Sequence, residues 1–215
     1  MRQLCSFIAI AMIASASRAA ATISNLGAFN SAGTSSASAI SADGLVVIGT
    51  SSTANGDRAF KWSLQSGLEN LGSLNNNFSS TALGTNSNGS VVVGSSVVSN
   101  QFTAHGFLWK TASGMSDLDT LGGTYPWSQA YATSGNGEIV VGTSSSYSGT
   151  TAFRWDSVNG MQSIGSPAST ARGISADGQI IVGETNGQAY RWTESIGMQL
   201  LSMPSGFSNG SAKKH

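Results

Sequence analysis

Cysteine and charge are both scarce in this sequence, and each shortage excludes a class of protein. The only cysteine among 215 residues is Cys5, so the chain can form no internal disulfide and no cluster of thiolate metal ligands. Charged residues make up 9% of the chain, as ten basic and ten acidic side chains. A typical soluble domain carries about 25% charged residues. We therefore expect no nucleic-acid partner, because binding to phosphates requires an excess of lysine and arginine.

Apolar runs long enough to span a membrane are also missing. The run at residues 4–16 has about 13 residues, whereas a spanning helix needs about 20. Its positive start at Arg2 and the small residues after it are typical of a secretory signal peptide, which we place at residues 1–20 with cleavage after Ala19 or Ala21. The alternative is an uncleaved membrane anchor. After signal removal, the predicted product is periplasmic, cell-surface or extracellular, has no transmembrane span and has lost Cys5.

One pattern occurs four times along the chain. Each copy has an Asp-Gly or Asn-Gly pair, then an apolar run that ends in glycine, then a tryptophan two residues after another aromatic side chain. The turn pairs are Asp43-Gly44, Asn88-Gly89, Asn136-Gly137 and Asp177-Gly178, and the tryptophans are Trp62, Trp109, Trp155 and Trp192. A glycine followed by an apolar residue comes next in every copy. Ordered signatures that recur in this way indicate a repeat protein.

Each copy predicts four short β-strands. Asp-Gly and Asn-Gly pairs are strong hairpin signals, and the Val/Ile run offers apolar side chains to both faces of a sheet. No useful length of the exported chain shows a helical period. Four strands in about 40–50 residues are typical of a β-propeller blade. We therefore predict an all-β fold, a β-propeller-like array of four-stranded antiparallel blades, with a β-solenoid as the alternative.

The predicted units account for nearly the whole exported chain. The four full repeats are residues 35–76, 77–123, 124–166 and 167–203. Residues 21–34 resemble the last strand of a preceding unit, and residues 204–215 resemble the truncated start of a fifth repeat. Two interpretations are open at this point. The chain is either a truncated member of a longer array or a ring of four blades with spare ends.

The order of these motifs resembles that of the HAF-type extracellular repeat family. The resemblance rests on the segments around Asp43-Gly44, Ala59-Phe60 and Gly67-Leu68 with their later copies, and it covers roughly residues 22–211. It implies a propeller-like fold in secreted or cell-surface bacterial proteins, sometimes as the exported part of autotransporters. The family implies no catalytic residues. The second copy departs from the pattern, since Gly106 replaces the alanine that precedes the aromatic residue.

Two sets of repeated residues are interpreted as structural. The Asp and Asn of the turn pairs could ligate calcium, but two of the four are uncharged amides and no D-x-D-x-D cluster surrounds them. Tight-turn chemistry is the better interpretation. The four tryptophans could form a sugar-binding surface, but their equivalent positions favour packing between neighbouring sheets. We expect no cofactor, no metal ion and no catalytic residue.

Tyr125 and Trp127 are the candidate ligand contacts, because they lie outside the repeat pattern in the longest connection between repeats. Loops on a rigid scaffold commonly carry recognition, and both residue types are frequent anchors. The alternative is a local cap over a sheet end. His105 lacks the partners of a metal site. Asp117 and Asp119 are two residues apart at a predicted strand end, where solvation is the ordinary explanation.

The predicted function is a secreted or cell-surface repeat scaffold with a binding or structural role, and not an enzyme. A glycan or a cell-surface protein fits the candidate contacts as a partner. A second hypothesis is a fragment of an autotransporter-type exported domain that lacks its outer-membrane barrel. A third is a carbohydrate-active enzyme built on a propeller, which would need converging carboxylates on one face of the ring.

Overall fold

A computed structural model describes residues 24–76, 78–98 and 103–202. These residues form sixteen β-strands in four sheets and contain no helix. Sheet 1 contains β1 (Ser35–Ile40), β2 (Val46–Thr53), β3 (Gly56–Ser63) and β4 (Gly67–Asn70). Sheet 2 contains β5 (Ser80–Thr85), β6 (Val91–Val97), β7 (Ala104–Lys110) and β8 (Gly114–Asp117). Sheet 3 contains β9 (Ser128–Thr133), β10 (Ile139–Ser146), β11 (Gly149–Asp156) and β12 (Gly160–Ser163). Sheet 4 contains β13 (Ser169–Ile174), β14 (Ile181–Thr185), β15 (Gln188–Thr193) and β16 (Gly197–Leu200).

Strand order within each sheet follows the chain, and every neighbouring pair is antiparallel. One copy of the sequence pattern therefore builds one complete sheet from three successive hairpins. A β-solenoid would instead pair strands from successive rungs. The predicted all-β array of four-stranded antiparallel blades is confirmed.

The first strands of the four sheets meet around a common central cavity. Each of them contributes its last residue, or the turn that follows, to a cavity of about 230 Å³. Sheet 1 contributes Ile40 and Ala42, and sheet 4 contributes Ile174 and Ala176. Backbone hydrogen bonds join the turns of successive sheets, as from the Gly135 N–H to the Ala176 carbonyl at 2.9 Å. The sheets are therefore arranged as blades around an axis.

The second strand of each sheet carries adjacent apolar side chains that point to opposite faces. In sheet 2, Val92 packs with Ile48 of sheet 1, and Val93 packs with Val140 of sheet 3. All four side chains are fully buried. We call the face that meets the preceding sheet the leading face, as at Val92, and the face that meets the following sheet the trailing face, as at Val93. Burial of both faces supplies the main stabilising free energy of the array.

Three hydrophobic clusters fill the gaps between sheets in the described part of the chain. Between sheets 1 and 2 lie Ile48, Ala59 and Leu71 against Ala82, Val92 and Phe107. Between sheets 2 and 3 lie Val91, Val93, Leu108 and Leu118 against Ala130, Val140 and Phe153. Between sheets 3 and 4 lie Val141 and Ala152 against Ala171, Ile181 and Tyr190. Residues from equivalent positions of the repeat thus fill each of the three interfaces.

A glycine ends each apolar run because an aromatic ring covers it. Gly94 lies directly opposite Phe107 in the β6–β7 pair. A Cβ placed on Gly94 would lie 1.9 Å from the Thr81 carbonyl oxygen and 2.9 Å from Cε1 of Phe107, so no larger residue fits. The equivalent pairs in the other sheets are Gly49 with Phe60, Gly142 with Phe153 and Gly183 with Tyr190.

A serine at the start of a first strand links that strand to the sheet before it. Ser128 Oγ accepts a hydrogen bond from the Gly106 N–H at 2.8 Å and donates one to the Asp119 carbonyl at 2.6 Å. The equivalent contacts at the other two interfaces run from the Ala59 N–H to Ser80 Oγ and from the Ala152 N–H to Ser169 Oγ, both at 2.9 Å. These buried bonds fix how one sheet is placed on the next.

No further sheet of the described residues covers the two outer faces of the array. Val182 on sheet 4 is 45% exposed, although its equivalents Ile48, Val93 and Val141 are fully buried. On sheet 1, β1 is exposed along nearly its whole length. The part of the chain that the structure describes therefore forms an open array of four sheets with three interfaces, and not a closed four-bladed ring.

Several predictions of the sequence analysis concern the chain ends. The signal peptide at residues 1–20 and the start of a fifth repeat at residues 204–215 lie outside the described residues. Residues 24–34 form no strand. Phe29 of this segment donates its N–H to Ser51 Oγ, as the equivalent Leu74 does to Ser96 Oγ. No helix in the described ranges is long and apolar enough to cross a membrane.

We predict that Gly94→Ala lowers the free energy of unfolding by about 3 kcal/mol or more, because the new Cβ overlaps a backbone carbonyl and a buried ring. Gly106→Ala is the matched control. Its Cβ would lie 3.3 Å from the Ala130 nitrogen, and the other repeats carry alanine at this position, so we expect a change within about 1 kcal/mol. Urea unfolding followed by tryptophan fluorescence measures both. Equal effects of the two substitutions would contradict the account of Gly94.

Candidate functional site

The repeated Asp and Asn side chains form hydrogen bonds inside their own turns. Asp43 Oδ1 accepts bonds from the Ser41 hydroxyl at 2.5 Å and from the Leu45 N–H at 3.0 Å. Both hydrogen bonds lower the pKa of Asp43, and the bond from Ser41 has the larger effect. Equivalent backbone bonds run from Ser90 to Asn88, from Glu138 to Asn136 and from Gln179 to Asp177. The oxygens are thus used to shape hairpins, as the turn interpretation requires.

The glycine of a turn pair also packs against the sheet before it. Gly89 has a φ of +71°, in the left-handed region, and a Cβ there would lie 2.4 Å from the Cβ of Val46. Both the backbone conformation and the close approach therefore require glycine. Gly44 on sheet 1 has the same conformation but would meet nothing within 4 Å. Among the described residues, no group of three or more His, Cys, Asp and Glu side chains could hold a metal ion.

The repeated tryptophans are half-buried on the leading faces of their sheets. Trp109 packs against the cluster between sheets 1 and 2, and Lys61 Nζ of sheet 1 lies 5.0 Å from its ring centroid. Trp155 and Trp192 pack against the next two clusters. Trp62 belongs to none of the three clusters, and the described residues form no sheet before sheet 1. Trp109, Trp155 and Trp192 therefore pack between sheets as predicted, whereas for Trp62 this packing stays a prediction.

The loop at residues 121–127 is hydrogen-bonded to strand β10 at both of its ends. The Leu121 N–H donates to Ser144 Oγ at 2.9 Å, and the Trp127 N–H donates to Ser145 Oγ at 2.8 Å. Ser145 Oγ also donates to the Gly122 carbonyl at 2.8 Å. Both serines are buried. The loop is thus held in one conformation by the sheet beneath it, as a recognition loop on a rigid scaffold requires.

The two predicted contact residues differ in exposure. Tyr125 is 81% exposed, so its ring is available to a partner. Trp127 is half-buried, and its carbonyl accepts a bond from the Ser145 N–H at 2.9 Å. Trp127 directly precedes Ser128, whose side chain bonds to the preceding sheet, and the backbone of Trp127 therefore lies close to the sheet. We therefore expect Trp127 to hold the loop against β10, in addition to any contact that it makes with a partner.

Tyr147 completes an aromatic surface that the sequence analysis missed. It lies at the tip of the β10–β11 hairpin and is 90% exposed. A Cβ placed on Gly122 would lie 3.0 Å from Cε2 of Tyr147, so this ring lies against the loop that carries Tyr125. We call Tyr125, Trp127 and Tyr147 the aromatic surface. The available signal was an aromatic residue at a hairpin tip, where the first and fourth repeats have Ala54 and Asn186.

His105 and Asp117 form an ion pair that the sequence analysis also missed. His105 Nδ1 lies 2.9 Å from Asp117 Oδ2. The hydrogen bond to Asp117 raises the pKa of His105 above 6.5 against the opposing effect of burial. Burial opposes ionisation of Asp117, but the bonds from His105 and the Asp119 N–H outweigh it and lower the pKa of Asp117. Asp119 does not join the pair and has a φ of +63°. The pair ties β7 to the end of β8.

The fold is similar to that of solved TolB structures. The crystal structure of TolB from Acinetobacter baumannii matches 76% of this chain with a TM-score of 0.51 and 14% identity. A TolB-type protein from Agrobacterium tumefaciens matches 75% of this chain with a TM-score of 0.55 and 13% identity. The matches span 42% and 62% of the length of those two proteins. No family model and no curated protein matches the sequence. At these identities the similarity establishes the fold alone, a β-propeller-like blade array.

We predict that the His105–Asp117 pair stabilises the fold in mildly acidic solution. A group whose pKa is raised by folding contributes fully below its unfolded pKa, and the contribution is lost as pH rises through the folded pKa. Wild-type protein is therefore expected to lose stability from about pH 6 to about pH 8, and His105→Gln to lose less. Thermal unfolding at both pH values measures this difference. An NMR titration that gives the His105 imidazole a pKa at or below 6.5 would contradict the prediction.

Proposed function

We propose that this chain is an exported, non-enzymatic scaffold of HAF-type repeats that binds a partner protein through the aromatic surface. The observation that carries the proposal is the pair of rings at Tyr125 and Tyr147, which are 81% and 90% exposed on fastened turns. Export is supported by the apolar leader and by the resemblance to an extracellular repeat family.

Preorganisation of the loop favours binding at this surface. A partner that orders a mobile loop must offset the lost conformational entropy, at roughly 0.5–1.5 kcal/mol for each immobilised flexible side chain. The hydrogen bonds of Ser144 and Ser145 hold the 121–127 loop before any partner arrives. Tyrosine itself has few rotatable bonds and offers a large apolar face with a polar tip. The cost of ordering is therefore low, and more of the contact energy is retained as affinity.

A protein is the partner that fits these rings. Tyr125 and Tyr147 protrude, so a surface that covers both must supply its own apolar pockets, with acceptors for the phenol hydroxyls. Protein interfaces are enriched in tyrosine at such central contacts. The neutral charge of the chain supplies no strong electrostatic attraction, so specificity would rest on shape and on these two anchors.

The non-enzymatic part of the proposal is supported by the pairing of the ionisable groups. Asp43 and Asp177 bond within turns. The remaining paired groups are His105 with Asp117, Lys61 with Glu69, Arg154 with Asp156 and Arg172 with Glu184. A glycosidase needs two carboxyl groups that face each other across a substrate. The carboxylates named here do not face one another in this way. Each bonds to a basic side chain or to the backbone of its own turn.

We predict that a photo-crosslinking residue at Tyr125 captures a specific partner protein in cells that export the chain. The matched control is the same residue at Val158, which is 88% exposed in the β11–β12 turn of the same sheet. Tyr125→Ser combined with Tyr147→Ser is expected to weaken binding of the captured protein by about 1,000-fold, because two hot-spot aromatic residues at about 2 kcal/mol each contribute about 4 kcal/mol. The melting temperature should change little, since both rings are exposed.

Two results would contradict this proposal. The first is that Tyr125 and Val158 capture the same proteins, since adhesion would then not depend on the aromatic surface. The second is that a glycan array detects a saccharide whose binding is lost in the double tyrosine variant. That result would assign the surface to a glycan and not to a protein.

A further inference from the structure

The trailing face of sheet 4 carries the apolar side chains that the other trailing faces bury, but Glu184 stands where the other sheets have Thr50, Ser95 and Thr143. Val182 is 45% exposed, while its equivalents Ile48, Val93 and Val141 are fully buried. Ala189 is exposed, while its equivalents Ala59 and Ala152 are fully buried. Both residues line a cavity of about 490 Å³, together with Tyr190, Leu201 and the Arg172–Glu184 ion pair. We call this cavity the trailing socket. It has the apolar side chains of the internal interfaces, and no strand of the described residues fills it.

The leading face of sheet 1 carries the other half of the same interface. Ala37 is exposed, whereas Ala82, Ala130 and Ala171 at the equivalent position are fully buried. Val47 is half-buried, and its equivalents Val92, Val140 and Ile181 are fully buried. Gly44 is exposed and meets nothing within 4 Å, unlike the packed Gly89. Strand β1 therefore resembles β5, but no sheet of the described residues lies beneath it.

We propose that the trailing socket binds the leading face of a second copy of this chain, so that copies associate head to tail. In this contact β1 of one copy lies across β14 and β15 of the other, as β5 lies across β2 and β3 within one chain. The inference does not depend on the proposed partner of the aromatic surface, because it uses different residues on different sheets.

The internal interfaces predict the contacts of this association. Ala37 of the second copy enters the trailing socket beside Val182, as Ala82 packs with Ile48. Ser35 Oγ, which already donates to the Gly27 carbonyl at 2.7 Å, accepts the Ala189 N–H. That arrangement repeats Ser80, which donates to the Gly72 carbonyl and accepts the Ala59 N–H.

A second copy fits better than an unrelated protein because the chain itself shows that these surfaces match. Three internal interfaces join the same trailing and leading positions with apolar clusters and a buried serine bond. Copies with a formal net charge of zero do not repel each other. A repeated, self-complementary pair of faces is the requirement for a heterologous contact between identical chains.

One side chain must move for this contact to form, because Leu26 and Leu201 would compete for the same space. Leu26 and Leu201 occupy equivalent places in the repeat, because both correspond to Leu71. Leu26 lies in the same Asn-Leu-Gly sequence as Leu71, and the Leu201 N–H donates to the Ala189 carbonyl as the Leu71 N–H donates to the Ala59 carbonyl. Only one of Leu26 and Leu201 fits between sheet 4 of one copy and sheet 1 of the other. Leu201 is 51% exposed, so its displacement loses little buried area, and Leu26 of the incoming copy takes the place.

Sedimentation velocity of the purified chain between about 1 and 100 μM tests the proposal. Wild-type protein is expected to shift from monomer to dimer or larger species as concentration rises. Val182→Asp in the trailing socket and Ala37→Asp on the leading face should each remain monomeric, because either charge would be buried without a partner. Val158→Asp, at an exposed turn, is the control and should associate like wild type.

Mixing the two interface variants gives the decisive result. Val182→Asp retains an intact leading face, and Ala37→Asp retains an intact trailing socket, so an equimolar mixture should form one-to-one dimers and nothing larger. Recovery of association would also show that both variants are folded. A wild-type chain that stays monomeric throughout the range would overturn the proposal. So would association that survives both substitutions, or variants with native circular dichroism that fail to combine.

Discussion

The structure depends on one constraint: each sheet is apolar on both faces, so both faces must be covered. The constraint originates in the second strand, where adjacent residues such as Val92 and Val93 point in opposite directions and are both fully buried. A sheet of this kind cannot be stable alone in water. Stacking the sheets around an axis covers each trailing face with the next leading face. The buried serines and the glycines under the aromatic rings then set the distance and register at which that stacking occurs.

The fold could be predicted from the sequence because its signals are local. The Asp-Gly and Asn-Gly pairs mark the hairpins, and the adjacent apolar residues of the second strand indicate burial on both faces. The order in which faces meet could not be predicted, since it depends on contacts between sheets. Val182 occupies the same position of the repeat as Val141, yet one is 45% exposed and the other is buried. The apolar run alone does not tell whether a sheet has a neighbour.

The candidate site could be predicted only in part. Tyr125 was found because it lies in a connection that departs from the repeat, and it is exposed. Trp127 is half-buried, because the backbone bonds to Ser145 draw it toward β10. Tyr147 and the His105–Asp117 pair join segments through strand register, and composition gives no sign of either contact. A site assembled from separate loops becomes visible only when the sheets are in place.

Residue-resolved amide hydrogen exchange tests the central claim most directly, because the Ala59, Gly106 and Ala152 amides bond to serines of the following sheet. Slow exchange at all three, as in the buried strands, is the result that stacked sheets predict. Ser128→Ala should release Gly106 and leave Ala59 protected. Exchange of all three amides at the rate of an unprotected chain would contradict the stacking of one sheet on the next.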